Sequence, residues 1–211
     1  MIAEAASAPI TVHRPLAAED AARANFYALL ARLLAGGPDD ALLANLAAAQ
    51  PLSADGDAAM RDAWQALVDA SADADADEVS QEYDDLFVGV GKAPVSIYAG
   101  FHGGAPAVDH PRVRMQADLA ALGLARREPA TEPEDHYAVI FDTMRVLVAG
   151  GAGREPAPLA AQKGFFDRHV RPGADRFFSA VGEAAEANYY RRVAALGAAF
   201  VALETQSFQL D

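Results

Sequence analysis

The sequence predicts an all-α fold: one compact helical domain of eight to nine helices over residues 17–211, behind a loose tail at 1–16. Three observations carry this reading. Alanine, the residue with the highest intrinsic helix propensity, supplies 51 of the 211 residues. Isoleucine and threonine, which favour strands, number four each. The large apolar residues recur at spacings of three and four, and no stretch alternates convincingly. With 19 Leu, 15 Val and 10 Phe there is material for a real core.

Taken in order, the first helix spans 17–35. Phe26, Leu30 and Leu33 share its inner face, which Leu29 and Leu34 widen. Gly36-Gly37-Pro38 ends it, and Pro38 suits the first turn of the next helix. That second helix carries Leu42, Leu43 and Leu46 and stops near Pro51. A third opens at Asp57 and turns Met60, Trp64, Leu67 and Val68 inward. Residues 71–77 alternate Ala and Asp, either as a fraying helix end or as a solvated link. From about Glu78 a fourth helix places Val79, Tyr83, Leu86 and Phe87 at i, i+4, i+7 and i+8, a core face. Residues 88–111 are Gly- and Pro-rich and form the longest irregular stretch, a candidate hinge. Helical patterning returns over 109–124 and 132–149. Three closing helices, 157–171, 173–186 and 188–206, are anchored by Phe165/Phe166, Phe177/Phe178 and Leu196/Phe200/Leu203.

Charge narrows the function. The net charge is −13, which disfavours a general nucleic-acid binder, because phosphate contacts require Lys and Arg. Residues 1–90 hold 16 acids and 4 bases, whereas residues 91–211 hold 14 and 13. Eight acids fall between Asp69 and Asp85, and no Lys or Arg lies between Arg61 and Lys92. Such a run is either a solvated face or a surface for a basic partner. Cysteine is absent, which excludes disulfides and thiol chemistry and fits a cytoplasmic location. No apolar run reads as a membrane span, and the first residues lack the pattern of a secretory signal.

Catalytic motifs fail one by one. Gly89-Val90-Gly91-Lys92 resembles a phosphate loop, but Leu86 stands where the first Gly is needed and Ala93 where Ser or Thr is needed. His136, in the run 132–136 (EPEDH), has Glu132 on its own helix face but no further converging ligand, so no metal and no cofactor is expected. Those acids, with Pro133 near the first position, read instead as an ordinary helix start. Ser96, His102 and His110 belong to no nucleophile motif.

Two stretches in combination go further. EYDDLFVG at 82–89, followed by the Gly/Pro-rich segment and Tyr98, resembles the E-x-x-x-L-F-x-G…Y motif of the TorD/DmsD family. EPEDH at 132–136, leading to Met144, resembles that family's Pro-x-Asp-His motif at the head of an amphipathic helix. FFDRHV at 165–170, a Pro, a short helix, Tyr189-Tyr190 and a long last helix resemble its usual close. The resemblance covers roughly 19–206.

It implies a cytoplasmic, non-enzymatic, TorD-like all-helical chaperone for a molybdenum-cofactor oxidoreductase. The partner would be the catalytic subunit, bound through its N-terminal twin-arginine signal region and held until cofactor insertion and folding precede export. The implied peptide-binding residues are Glu82, Tyr83, Leu86, Phe87, Gly89 and Tyr98 from the first motif, with Pro133, Asp135 and His136 from the second. By their period, Leu86 and Phe87 also read as core, and Tyr98 and His136 as the more exposed pair. Ala99-Gly100 stand where the family often has Glu-Ser, and Ile140 stands at one of two positions that often hold acids. Both departures bear on the client. A nitrate-reductase-type client that is not exported is the near alternative. A nucleotide-binding or hydrolytic helical enzyme, and a generic helical adaptor, are the distant ones. Some family members exchange domains, so a monomer and a homodimer both stand.

Overall fold

The first helix, α1 (Ala18–Ala35), lies along α6 (Tyr137–Ala149), and together they form the centre of the core. Tyr27, Leu30, Leu33 and Leu34 of α1 face Ile140, Phe141, Met144 and Leu147 of α6, all essentially inaccessible to solvent. The computed structural model describes residues 16–89, 92–103, 111–124, 133–151 and 153–210. Among these residues the chain forms nine α-helices and no strand, as the composition predicts. The expected tail, apart from Leu16, lies outside them, as do Val90, Gly91, His110 and Glu132.

The short α2 (Asp40–Ala47) opens on an Asp39 cap whose carboxylate accepts from the Leu42 N–H at 2.8 Å. It stops well before Pro51, because Ala48 already closes its last turn. Helix α3 (Ala58–Ala72) begins on the Asp57 cap. The Ala/Asp stretch resolves into both of its readings: α3 runs on to Ala72, and Asp75 caps α4 (Ala76–Tyr83) through the N–H groups of Asp77 and Glu78.

The fourth helix does not continue as a single α-helix. From Asp84 to Val88 it widens into a π-turn, closed by the Gly89 N–H on the Asp84 carbonyl at 2.8 Å. A second π-turn, Phe166–Val170, ends α7 (Leu159–Phe165). Both fall on segments that carry the family resemblance.

Helix α5 (Pro111–Ala121) precedes α6. Helix α8 (Ala174–Glu183) packs on α9 (Tyr189–Leu210), which also lies against α3. The approach of α8 to α9 is set by Gly197, where an added Cβ would stand 2.2 Å from the Phe178 ring. Contrary to the sequence reading, α9 is long and apolar enough to cross a membrane by length and composition. Less than half of its apolar window, 44%, is buried. Its inner face, including Leu196, Phe200 and Val201, is nonetheless core, which accounts for its composition.

One polar network crosses this core. Glu204 of α9 is 2% exposed and accepts from Arg23 Nε and a second guanidinium nitrogen, at 2.8 and 2.9 Å, and from the Tyr27 hydroxyl at 2.7 Å. Burial works against the Arg23 charge, but Glu204 more than compensates and raises its pKa. Burial and the Glu204 charge both push the Tyr27 phenol well above its ordinary range.

Candidate functional site

The two motif segments, far apart in sequence, meet. Tyr98 and His136 form an isolated antiparallel bridge, with the Ala99 N–H on the Asp135 carbonyl at 2.8 Å and the Tyr137 N–H on the Ile97 carbonyl at 3.1 Å. Their rings stand edge to face with centroids 5.4 Å apart. Below them the Val95 N–H donates to the Leu86 carbonyl at 3.1 Å, which ties the loop to the π-turn. Gly89 permits this path: its φ is +61°, and an added Cβ would come within 2.9 Å of the Ala93 backbone.

The start of α6 differs from the sequence reading, which placed Pro133, Glu134 and Asp135 inside the first turn. The helix begins at Tyr137, and His136 is its cap, with Nδ1 accepting from the Ala138 N–H at 3.1 Å. An acceptor Nδ1 leaves the ring proton on Nε2. Pro133 to His136 form the preceding turn, closed by the His136 N–H on the Pro133 carbonyl. The backbone pairing with residues 97–99 holds His136 in extended form after this turn and delays the helix to Tyr137. His136 is only 2% exposed, so the expectation of a surface histidine is corrected, whereas Tyr98 is half-buried.

The remaining motif residues are supports. Glu82 turns to the N-terminus of α9, where its carboxylate accepts from the N–H groups of Asn188, Tyr189 and Tyr190 at 2.8, 3.0 and 2.8 Å. Tyr83 donates its hydroxyl to the Leu34 carbonyl at 3.1 Å and packs on Phe87 and Tyr190. Leu86 and Phe87 are core. The structure thus brings Tyr98, Pro133, Asp135 and His136 to one place, and places Glu82 and Tyr83 at the α4–α9 and α4–α1 junctions.

Two features near these residues were not legible in the sequence. Glu134, read there as a helix-start acid, accepts from Arg112 Nε of α5 at 2.8 Å. Burial would raise its carboxyl, but hydrogen bonds from Gln116 and Arg112 overcome this and hold it at about 2. The second is a cleft of about 310 Å³ beside Glu82, between the end of α3, α4 and the start of α9. Asp73, Asp75, Glu78 and Glu82 line it against the single cation Arg192, so the densest acidic run of the sequence borders this cleft. Among the described residues no cluster of His, Asp and Glu could hold a metal.

Comparison with known proteins places the chain. Residues 53–179 match the family model for the nitrate reductase delta subunit, a span that contains both motifs. No curated protein sequence matches. Among solved structures the chain resembles one provisionally described as a redox enzyme maturation protein from Archaeoglobus fulgidus. The TM-score is 0.53 at 15% identity, over 93% of this chain and 99% of that one, a likeness of fold. The match over more than half the chain, on an all-helical fold with both motifs joined at Tyr98 and His136, shows that the protein belongs to the nitrate reductase delta subunit family, the NarJ/TorD-type chaperones of molybdoenzymes.

Proposed function

We propose that the protein is a non-enzymatic, cytoplasmic maturation chaperone. It binds the N-terminal twin-arginine signal region of a molybdenum-cofactor oxidoreductase subunit and holds it through cofactor insertion and folding. The observation that carries this reading is the union of the two family motifs at the Tyr98–His136 bridge. A twin-arginine segment offers guanidinium groups followed by an apolar stretch. Guanidinium groups pair most strongly with carboxylates. Glu134 and Asp135 stand at the bridge, and the acidic cleft beside Glu82 supplies a field that draws cations toward the molecule.

A second reading is favoured by the family match itself. The client is then the catalytic subunit of a nitrate reductase whose N-terminus is a remnant signal, and that enzyme is not exported.

Calorimetry of the full chain with synthetic client N-termini separates the two. Binding to an isolated twin-arginine leader, with the affinity lost when both arginines become glutamine, supports the first. Binding to a nitrate-reductase N-terminus without the arginine pair supports the second. Binding to a leaderless client alone removes both.

A further inference from the structure

Helix α5 is held to the molecule by charge as much as by apolar packing. It buries only Met115 and Leu119 and leaves Val113 exposed. Its polar anchors stand at both ends. Arg112 pairs with Glu134 at the first turn. Asp118 Oδ2 accepts from Arg168 Nε at 2.8 Å and from His169 Nε2 at 2.6 Å. The Arg154 guanidinium donates to the Leu122 and Gly123 carbonyls at 2.8 and 2.7 Å.

The Arg112 end rests on the motif junction. Asp135, next to Glu134, is 7% exposed. Its carboxylate faces bare backbone: a Cβ added at Gly100 would lie 3.2 Å from Asp135 Oδ2 and 3.8 Å from Pro111 Cγ. Glu134 and Asp135 thus set two largely buried acidic side chains next to one another in the chain, a pair that favours a cation beside it. The Glu134 side chain is 12% exposed and that of Arg112 is 49% exposed, so the acceptor is fixed and the donor is the accessible, replaceable partner.

We propose that the Arg112–Glu134 pair is a self-occupied arginine site: a guanidinium of the client's N-terminal segment takes Glu134 and Asp135, displaces Arg112, and frees the first turn of α5. This rests on the signal-binding reading above and adds to it the receiving carboxylates and the helix that guards them. Because one guanidinium replaces another, the exchange alone is nearly neutral. Only a ligand that brings further contacts displaces Arg112, and that sets a threshold against stray cations.

The test is calorimetry of the full chain with a twin-arginine leader peptide, paired with hydrogen exchange of the α5 amides. R112Q removes the internal competitor and binds several-fold tighter. R112K, which keeps the charge but loses the planar fork, falls between R112Q and wild type. E134Q removes the acceptor from the internal and the incoming guanidinium alike, so it binds close to wild type. In R112Q/E134Q the gain from R112Q disappears. Wild-type α5 amides near Arg112 exchange faster with peptide bound. Unchanged affinity in R112Q, with α5 equally protected in both states, overturns the proposal and leaves the functional reading standing. A wild type that binds no leader overturns both. Because Arg112 anchors α5, the thermal midpoint of each variant is read in the same samples and affinities are compared at a temperature where all are folded.

Discussion

Glu82 is the motif residue whose role the geometry defines most sharply, and Glu82→Ala tests it. The carboxylate serves three N–H groups at the start of α9, and Tyr189 and Tyr190 are 3% and 0% exposed. A buried donor stripped of its acceptor costs about 1–3 kcal/mol. The adjoining cleft admits water to the exposed Asn188 donor, so the cost falls mainly on the other two. Two donors at the lower half of that range, with loss of the negative charge at a helix N-terminus, give roughly 2–4 kcal/mol. For a chain of this size that is about 4–16 °C in thermal midpoint. Glu82→Gln, which keeps one acceptor oxygen, should lose less than half as much. The assay is thermal and urea denaturation beside leader binding. A Glu82→Ala protein that melts with the wild type yet no longer binds the leader would refute the capping role and make Glu82 a peptide contact.

Four further outcomes follow from buried groups. The Tyr137 hydroxyl is fully buried without a hydrogen-bond partner among the described residues, so Tyr137→Phe should be neutral or stabilising. Tyr190→Phe, which loses the bond to the Leu33 carbonyl, should cost about 1 kcal/mol, both read by urea denaturation. Glu204→Ala leaves Arg23 and the Tyr27 hydroxyl without their shared acceptor and should destabilise by about 3–5 kcal/mol, measured the same way. His169 is buried, and burial lowers its pKa despite the Asp118 hydrogen bond. The unfolded chain therefore binds its proton first. Stability from this group is full above the ordinary histidine range of about 6.5 and is lost as pH falls through the folded value. Denaturation between pH 7 and 5 should show that slope, and His169→Gln should flatten it.

How far the sequence carried depended on what its residues interact with. The helices were legible because their faces are periodic: Leu30, Leu33 and Leu34 are core as the spacing predicts. Boundaries failed where tertiary hydrogen bonds override local propensity. Pairing of residues 97–99 with 135–137 pulls Pro133 to Asp135 out of the helix that their composition favours. The π-turn at Asp84–Val88 was hidden because Leu86 and Phe87 remain buried after the extra residue, so periodicity scarcely changes. The residues that join at the site could be named from motif resemblance, but their roles could not. Glu82 and Tyr83 reach partners about a hundred and about fifty residues away, and Arg112 meets Glu134 through folding that no local pattern encodes. The Arg23–Tyr27–Glu204 network was invisible for the same reason, since a lone Glu in an apolar helix carries no sign of its partner.

The central claim is that this chain recognises an arginine-bearing N-terminal segment. Its most direct test is titration of the intact protein with an isolated twin-arginine leader, at low and at physiological salt. The account predicts saturable one-to-one binding, lost when the arginines become glutamine. Association should slow as ionic strength rises, because the acidic 69–85 stretch acts on encounter. Equal affinity for the leader with and without its arginines, at a salt-independent rate, would contradict it.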